Sequence, residues 1–137
     1  MKIKVGALAV GLGLLTGGAL PVLAHHSFAA EYDTSKPVVM TGKFVKMDWT
    51  NPHSWVYFTV TDADGKAQEW RAETPPPNAM VRAGMRPSML HAGDVITLSG
   101  NLAKDGSNLM WCGMVKFPNG AVIGLQAVPP PDEKGKQ

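Results

Sequence analysis

Two adjacent histidines stand at positions 25 and 26, after an apolar segment that ends in Val22-Leu23-Ala24. If the chain is cleaved after Ala24, His25 becomes an amino-terminal residue that offers two nitrogen ligands, its α-amine and a ring nitrogen. Such a pair of nitrogens can chelate a borderline metal such as Cu(II). These residue types therefore predict a metal-binding function that depends on export and processing.

Another histidine, His53, closes the turn Thr50-Asn51-Pro52-His53. Proline fixes one backbone dihedral and disfavours helical geometry at the residue before it, so the His53 ring should have a defined direction. We predict a copper site, or with weaker preference a zinc site, formed by His25 and His53, with His26 as an optional ligand. Alternatively, His53 donates to a backbone carbonyl to stabilise its turn, and the histidine pair belongs to a solvated, frayed terminus.

Other chemistry receives less support. Seven methionines follow Met1 without an M-x-M or M-x-x-M cluster, which favours gap filling in a core over thioether ligation. Cys112 is the single cysteine, so no intramolecular disulfide can form, and strand alternation predicts that it is buried. No serine lies in a nucleophile elbow, and a contact between Asp48 and His53 across the first hairpin would be a structural hydrogen bond. We therefore expect a protein that is not an enzyme.

The first 24 residues have the features of a signal peptide. Lys2 and Lys4 form a basic start, an apolar run extends from Val5 to Leu20, and small residues precede the predicted cleavage site. Removing this segment reduces 13 basic residues to 11, which equals the number of acidic residues. A near-neutral mature chain lacks the basic excess that nucleic-acid binding requires. We expect a periplasmic or secreted protein with no membrane span in the mature chain and no nucleic-acid partner.

Hydrophobic patterning divides the remaining chain into an arm at residues 25–37, a β-rich domain at 38–126 and a disordered tail at 127–137. Gly42 should introduce a bulge or a bend into the first strand, and the second strand should be covered on both faces because it is aromatic and β-branched on both. Asn78 should cap a short helix. The predicted elements are strands at Val38–Trp49, Trp55–Thr61, Ala67–Ala72, Val95–Leu102, Leu109–Phe117 and Ala121–Leu125, and a helix at Asn78–Ala83.

Three strands, a short helix and two or three further strands are typical of a five- to six-stranded Greek-key barrel of the OB type, with the helix between strands 3 and 4. A small open sandwich is the alternative. OB barrels often display aromatic side chains to planar or sugar-like ligands, whereas tryptophans in so small a domain are usually core residues. The aromatic residues on the predicted strands are Trp49, Trp55, Tyr57, Trp70 and Trp111.

Several motifs together resemble the domain-of-unknown-function family 6152 of exported bacterial proteins. They are His25-His26-Ser27-Phe28, Thr50-Asn51-Pro52-His53, Asp62-Ala63-Asp64-Gly65-Lys66, Pro77-Asn78-Ala79, Gly93-Asp94-Val95 and Lys104-Asp105-Gly106-Ser107-Asn108. The resemblance spans roughly residues 25–125 and implies export and one small β-rich domain, with the histidine pair as a family feature. The triple proline before Asn78 and the Met110-Trp111-Cys112 segment depart from the family pattern.

We therefore expect an exported, non-enzymatic binding module for a small ligand or a metal ion, copper being the preferred metal. Its predicted site comprises His25, His26 and His53. The alternative is a structural or interaction protein that docks a partner in the cell envelope through an aromatic face or a strand edge.

Overall fold

A computed structural model describes residues 28–125 of the protein. The predicted signal peptide, His25, His26 and the predicted tail at 127–137 lie outside these residues. The elements, in chain order, are α1 (Phe28–Glu31), β1 (Tyr32–Asp48), β2 (Ser54–Thr61), β3 (Ala67–Thr74), α2 (Pro77–Arg82), a 3-10 turn (Pro87–Met89), β4 (Val95–Ala103), β5 (Leu109–Lys116) and β6 (Val122–Gly124).

The first five strands close into a barrel. The long strand β1 pairs antiparallel with both β2 and β4, and β3 pairs antiparallel with β2. Closure comes from β5, which pairs antiparallel with β4 and parallel with β3. The order β1-β2-β3-β5-β4, with α2 between β3 and β4, confirms the predicted OB-like barrel and excludes the open sandwich. The short strand β6 extends the sheet from β5.

The barrel interior is filled by one apolar cluster. Its members come from all five barrel strands and from α2 and the segment after it, and they include Phe44, Phe58, Ala72, Met80, Met85, Leu98 and Met110. Met80, Met85 and Met110 are at most 1% exposed, which confirms the predicted packing role for these three. Cys112 is also fully buried, as predicted. Among the described residues, no helix is long and apolar enough to cross a membrane.

Strand β1 differs from its prediction at both its start and its bulge. It begins at Tyr32, six residues before the predicted start, and continues through Pro37. Pro37 is compatible with a strand because its register to β4 shifts between Tyr32 and Pro37. The bulge falls at Val45, where the register to β2 shifts between Phe44 and Lys46. The prediction of a bulge at Gly42 is wrong.

Gly42 has a packing role. A Cβ there would overlap the backbone oxygen of Thr59 and crowd the Phe58 ring, so glycine permits close approach of β1 and β2.

Two further local predictions are corrected. Helix α2 begins at Pro77, Pro76 occupies the cap position without a side-chain hydrogen bond, and Asn78 is therefore not the cap. Proline suits the first helical turn because its missing N–H would have no partner there. Strand β2 is covered on one face only, since its residues alternate between buried and partly exposed from Ser54 to Phe58.

Candidate functional site

His53 lies at the end of a turn that is fixed by its own hydrogen bonds. Thr50 Oγ1 donates to the backbone oxygen of His53 at 2.9 Å. Ser54 Oγ accepts from the backbone N–H of Thr50 and donates to the backbone oxygen of Thr50, each at 3.2 Å. These contacts, together with the ring constraint of Pro52, give His53 a defined exit from the turn, as predicted.

The partner of His53 is a buried carboxylate. Glu73, near the end of β3, is 6% exposed, and its Oε1 contacts Nδ1 of His53. Its other oxygen, Oε2, accepts a hydrogen bond from the hydroxyl of Tyr32. Both oxygens are therefore engaged, as burial of a charged group requires. The predicted alternatives for the partner of His53 are wrong. Its Nδ1 contacts Glu73 and not a backbone carbonyl, and Asp48 instead accepts from Lys46 at 3.0 Å.

Tyr32 acts only as a donor in this arrangement. Burial, its hydrogen bond to Glu73 and the negative charge of that carboxylate raise the pKa of Tyr32 well above its ordinary value. The phenol is therefore protonated at any physiological pH, and its O–H points to Glu73. A neutral donor on one side and an imidazole N–H on the other stabilise the carboxylate without a buried lysine or arginine.

Aromatic rings surround these three polar side chains. Phe28 stacks on Tyr32 at a centroid distance of 5.3 Å and meets Trp111 edge-on at 5.6 Å. The His53 ring packs edge-on against Trp111 at 5.7 Å. We call Phe28, Tyr32, His53, Glu73 and Trp111 the Glu73 cluster.

The amino-terminal helix α1 is held against the barrel beside this cluster. The backbone N–H of Lys104 donates to the backbone oxygen of Glu31 at 2.8 Å, and Lys104 Nζ donates to the backbone oxygen of Ala29. These bonds connect the start of the described chain to the loop between β4 and β5. The position of Phe28 is therefore fixed.

The contact with Glu73 determines which nitrogen of His53 can bind a ligand. A carboxylate accepts hydrogen bonds, so in the neutral ring Nδ1 carries the proton and Nε2 holds the lone pair. Histidines that ligate metals commonly donate their other ring N–H to a carboxylate, which sets the tautomer and raises the basicity of the ligand. The His53 side chain is 44% exposed, so solvent reaches this ring. The arrangement suits a nitrogen ligand for copper or zinc.

The described residues do not complete a metal site by themselves. Among residues 28–125, no group of three or more His, Cys, Asp or Glu side chains converges with metal-binding geometry. His91 lies in the loop before β4, with its Nδ1 3.8 Å from a carboxylate oxygen of Asp94. Burial raises the pKa of Cys112 to about 12, so this thiol does not supply a thiolate. Further ligands would have to come from His25 and His26, which lie outside the described residues.

Sequence reasoning located His53 and missed its partner. Glu73 was placed just beyond the predicted third strand, which ended at Ala72, whereas β3 continues to Thr74. Glu69, Arg71 and Glu73 share one face of β3, so alternation alone gives no reason to prefer Glu73. The useful signal was the position of Glu73 immediately before Thr74 and a triple proline, where the strand must end beside the turn that carries His53.

The fold and the site together define a class of protein: a closed OB-like barrel with an oriented histidine–carboxylate pair under an amino-terminal segment. The chain belongs to a family of unknown function, DUF6152, whose model matches residues 13–110. This confirms the resemblance noted from the motifs. No curated protein matches the chain.

A solved structure with some similarity is that of a ZRD-deleted mutant of TiaS in complex with agmatine. It shares 13% sequence identity, the match covers 62% of this chain and 22% of that chain, and the TM-score is 0.41.

Proposed function

We propose that the protein is an exported, non-enzymatic binding module that takes up copper through His53 and the amino-terminal His25, with or without His26. In this proposal, cleavage after Ala24 exposes the α-amine of His25, which chelates the metal together with its own ring. His53 supplies a third nitrogen from the barrel. Zinc is the weaker choice because an amine and imidazoles suit Cu(II) better in the order of divalent metals.

The observation that supports this proposal most strongly is the contact between His53 Nδ1 and Glu73 Oε1. It leaves Nε2 as the basic nitrogen of a partly exposed ring. A histidine with a merely structural role needs no such orientation of its outer nitrogen. The proposal requires no reaction, and Glu73 is not a free base because both of its oxygens are engaged.

Chain connectivity is compatible with a shared site. His25 precedes Phe28 by three residues, and three residues span at most about 10 Å. The rings of Phe28 and His53 both contact Trp111. Phe28, the described residue nearest to His25 in sequence, therefore lies two ring contacts from the barrel histidine.

The experiment is isothermal titration of Cu(II) into protein whose first residue has been verified as His25 by mass spectrometry. The comparison is the same protein with its α-amine blocked by acetylation, which removes the amine as a ligand and leaves both histidines in place. We expect acetylation to weaken binding by about a hundredfold and His53→Ala by about tenfold. His91→Ala, which removes the other described histidine, should leave the affinity unchanged.

Equal affinities for the free and the acetylated forms would refute the amine ligand. Equal affinities for the parent protein and His53→Ala would show that the metal binds only to the terminal dipeptide, and the barrel site would be wrong. Circular dichroism of each variant establishes that the barrel is intact.

The structure gives less support to the alternative of an interaction protein in the cell envelope. Trp111 is buried, and Trp49, Trp55 and Trp70 are half-buried, so the tryptophans form no broad apolar surface. The exposed Val39 and Met114 border an apolar groove of about 580 Å³, but no described feature indicates an envelope protein as its occupant.

A further inference from the structure

An uncharged groove crosses the outer face of the barrel. It has a volume of about 580 Å³ and follows one row of paired residues, Val39 on β1, Ser99 on β4, Met114 on β5 and Gly124 on β6. Val39 and Met114 border it with side chains that are 69% and 44% exposed. Of the described residues that line the groove, none is charged, so an uncharged segment fits it better than an ionic ligand.

Asn101 lines the same groove and carries an unsatisfied acceptor. Its side chain is 2% exposed, and Nδ2 donates to the backbone oxygen of Asp33 at 3.0 Å. Within residues 28–125, Oδ1 of Asn101 has no hydrogen-bond partner, and the indole N–H of Trp111, directly opposite on β5, does not donate to it. A buried acceptor without a donor costs about 1–3 kcal/mol. A donor that enters the groove would remove this cost.

The described part of the chain ends at the border of this groove. Leu125 is buried in the core cluster, and its backbone N–H donates to the oxygen of Gly113, which lines the groove, at 2.8 Å. Residue 126 cannot continue as a strand along β5, because β3 pairs with that edge of β5 as far as Trp111. The barrel interior is already filled, so the outer face is the side left for the chain.

We propose that residues 126–131 of the same chain dock in this groove and cover it. They are Gln126, Ala127, Val128 and three prolines, with no charge among them. In this proposal the backbone N–H of Val128, the last donor before the prolines, binds Asn101 Oδ1. The docked segment uses none of the histidines, so it is independent of the proposed copper site.

The length of the segment matches the width of the groove. From β6 over β5 and β4 to β1 there are three strand spacings, or about 14 Å. Six residues in polyproline II geometry span about 19 Å. Residues 126–131 therefore suffice to extend from Gly124 to Val39, and the charged residues Asp132 and Glu133 lie beyond the groove.

The composition of the segment also suits an apolar groove. Prolines bring no N–H group that the groove would leave unpaired, and their fixed φ reduces the entropy lost on docking. Attachment at Leu125 makes docking intramolecular, which favours this segment over an external peptide or a second copy of the chain. Only the residues after Pro131 then form the disordered tail that composition predicts.

The test is paramagnetic relaxation in ¹H–¹⁵N NMR spectra of the processed protein with a nitroxide attached through Asp132→Cys. Cys112 is fully buried, so the label attaches at position 132. A docked segment holds the label beside β1, so the amide signals of Val39 and Ser99 should be lost. The signal of Arg71, which lines a different cleft, should remain.

Two pairs of variants separate docking from simple tethering. Val128→Asp and Val39→Asp each place a charge in the apolar contact and should restore the Ser99 signal. Gln137→Asp, outside the docked segment, and Val95→Asp, exposed but outside the groove, are the matched controls and should leave the signal lost. Spectra with the nitroxide reduced verify that each variant is folded.

The proposal is overturned if the Val39 and Ser99 signals persist in the labelled parent protein. It is also overturned if Val128→Asp behaves as Gln137→Asp does, or Val39→Asp as Val95→Asp does. A last mixture combines ¹⁵N-labelled protein without nitroxide and unlabelled protein with nitroxide. Loss of the Ser99 signal in this mixture would assign the groove to a second copy and refute docking within one chain.

Discussion

Glu73 on β3 lies directly opposite Trp111 on β5, in the parallel pairing that closes the barrel. The same contact that completes the fold therefore brings a buried carboxylate to the aromatic rings on which α1 packs. The β3–β5 pairing therefore both closes the barrel and assembles the site. Variants of the Glu73 cluster should consequently affect both stability and the orientation of His53.

Glu73→Gln should change the tautomer of His53. An amide offers one oxygen and one NH2 group, so it cannot accept from both Tyr32 and His53. We expect the fraction of His53 with its proton on Nδ1 to fall in the metal-free protein, as measured by ¹⁵N chemical shifts of the ring. Copper affinity should fall by about tenfold. Asp94→Asn, beside His91, is the control and should leave the His53 ring unchanged.

An unchanged tautomer in Glu73→Gln would contradict the role assigned to this carboxylate. A changed tautomer without any copper binding would separate the two claims, since the orientation of His53 would stand and the proposed metal function would not.

Tyr32→Phe should destabilise the barrel. It removes the donor to Glu73 Oε2 and leaves a buried carboxylate oxygen without a partner, at a cost of about 1–3 kcal/mol. Urea denaturation followed by tryptophan fluorescence measures this difference. Tyr57→Phe removes a hydrogen bond to the solvent-accessible Asp48 carboxylate and leaves no buried group without a partner, so it should cost less than about 1 kcal/mol. A similar loss in both variants would contradict the argument.

Gly100→Ala should be among the most destabilising single substitutions in the chain. A Cβ at Gly100 would overlap the backbone oxygen of Trp111 across the β4–β5 ladder, so the strands would have to separate. Gly124 is the matched control, because a Cβ there meets nothing within 4 Å and its φ is not positive. We expect a loss of more than about 3 kcal/mol for Gly100→Ala and little change for Gly124→Ala, measured by thermal unfolding.

Cys112 should resist thiol reagents in the folded protein. It is fully buried, and burial raises the pKa of its thiol to about 12. At pH 8 the reactive thiolate is therefore scarce as well as inaccessible, and labelling should proceed only through unfolding. The labelling rate should rise steeply between low and high urea. Rapid modification without denaturant would show that the thiol is not buried.

Acid should weaken the β2–β3 hairpin through Asp62. Its carboxylate accepts from the backbone N–H groups of Asp64 and Lys66 and from the Gln68 side chain, and these bonds lower its pKa below the usual 3.8. A lowered folded-state pKa means that the stabilisation is present above pH 3.8 and is lost as the pH falls through the folded value. The free energy of unfolding, measured at several values between pH 5 and pH 2, should therefore depend less on pH in Asp62→Asn than in the parent protein. Asp64→Asn is the control and should show the pH dependence of the parent protein.

Local patterns in the sequence were sufficient for most elements of the fold. Strands β4 and β5 were predicted to within one residue at each end, because glycine-containing turns bound both strands. The start of β1 was missed because Lys36-Pro37 looks like a break. Proline disrupts a sheet only where its N–H would be needed, and the register shift to β4 between Tyr32 and Pro37 marks where regular pairing begins.

The candidate site was predictable only in part. His53 could be identified from the sequence because Pro52 restricts the backbone of the residues next to it, and such a turn gives the His53 ring a defined direction. Its partner Glu73 could not be identified because their contact depends on the pairing of β2 with β3, which places Ser54 opposite Thr74. Tyr32 lies 41 residues from Glu73 in sequence, so no local signal connects them. The position of His25 relative to His53 remains a prediction, because His25 lies outside the described residues.

The double occupation of Glu73 has an evolutionary consequence. Each of its oxygens is bound by a side chain from a different part of the chain, so loss of either donor exposes the acid to an uncompensated burial cost. Positions 32, 53 and 73 should therefore change together among members of the family. A relative with phenylalanine at the position of Tyr32 should have lost the glutamate as well, and with it any selective reason to retain the histidine.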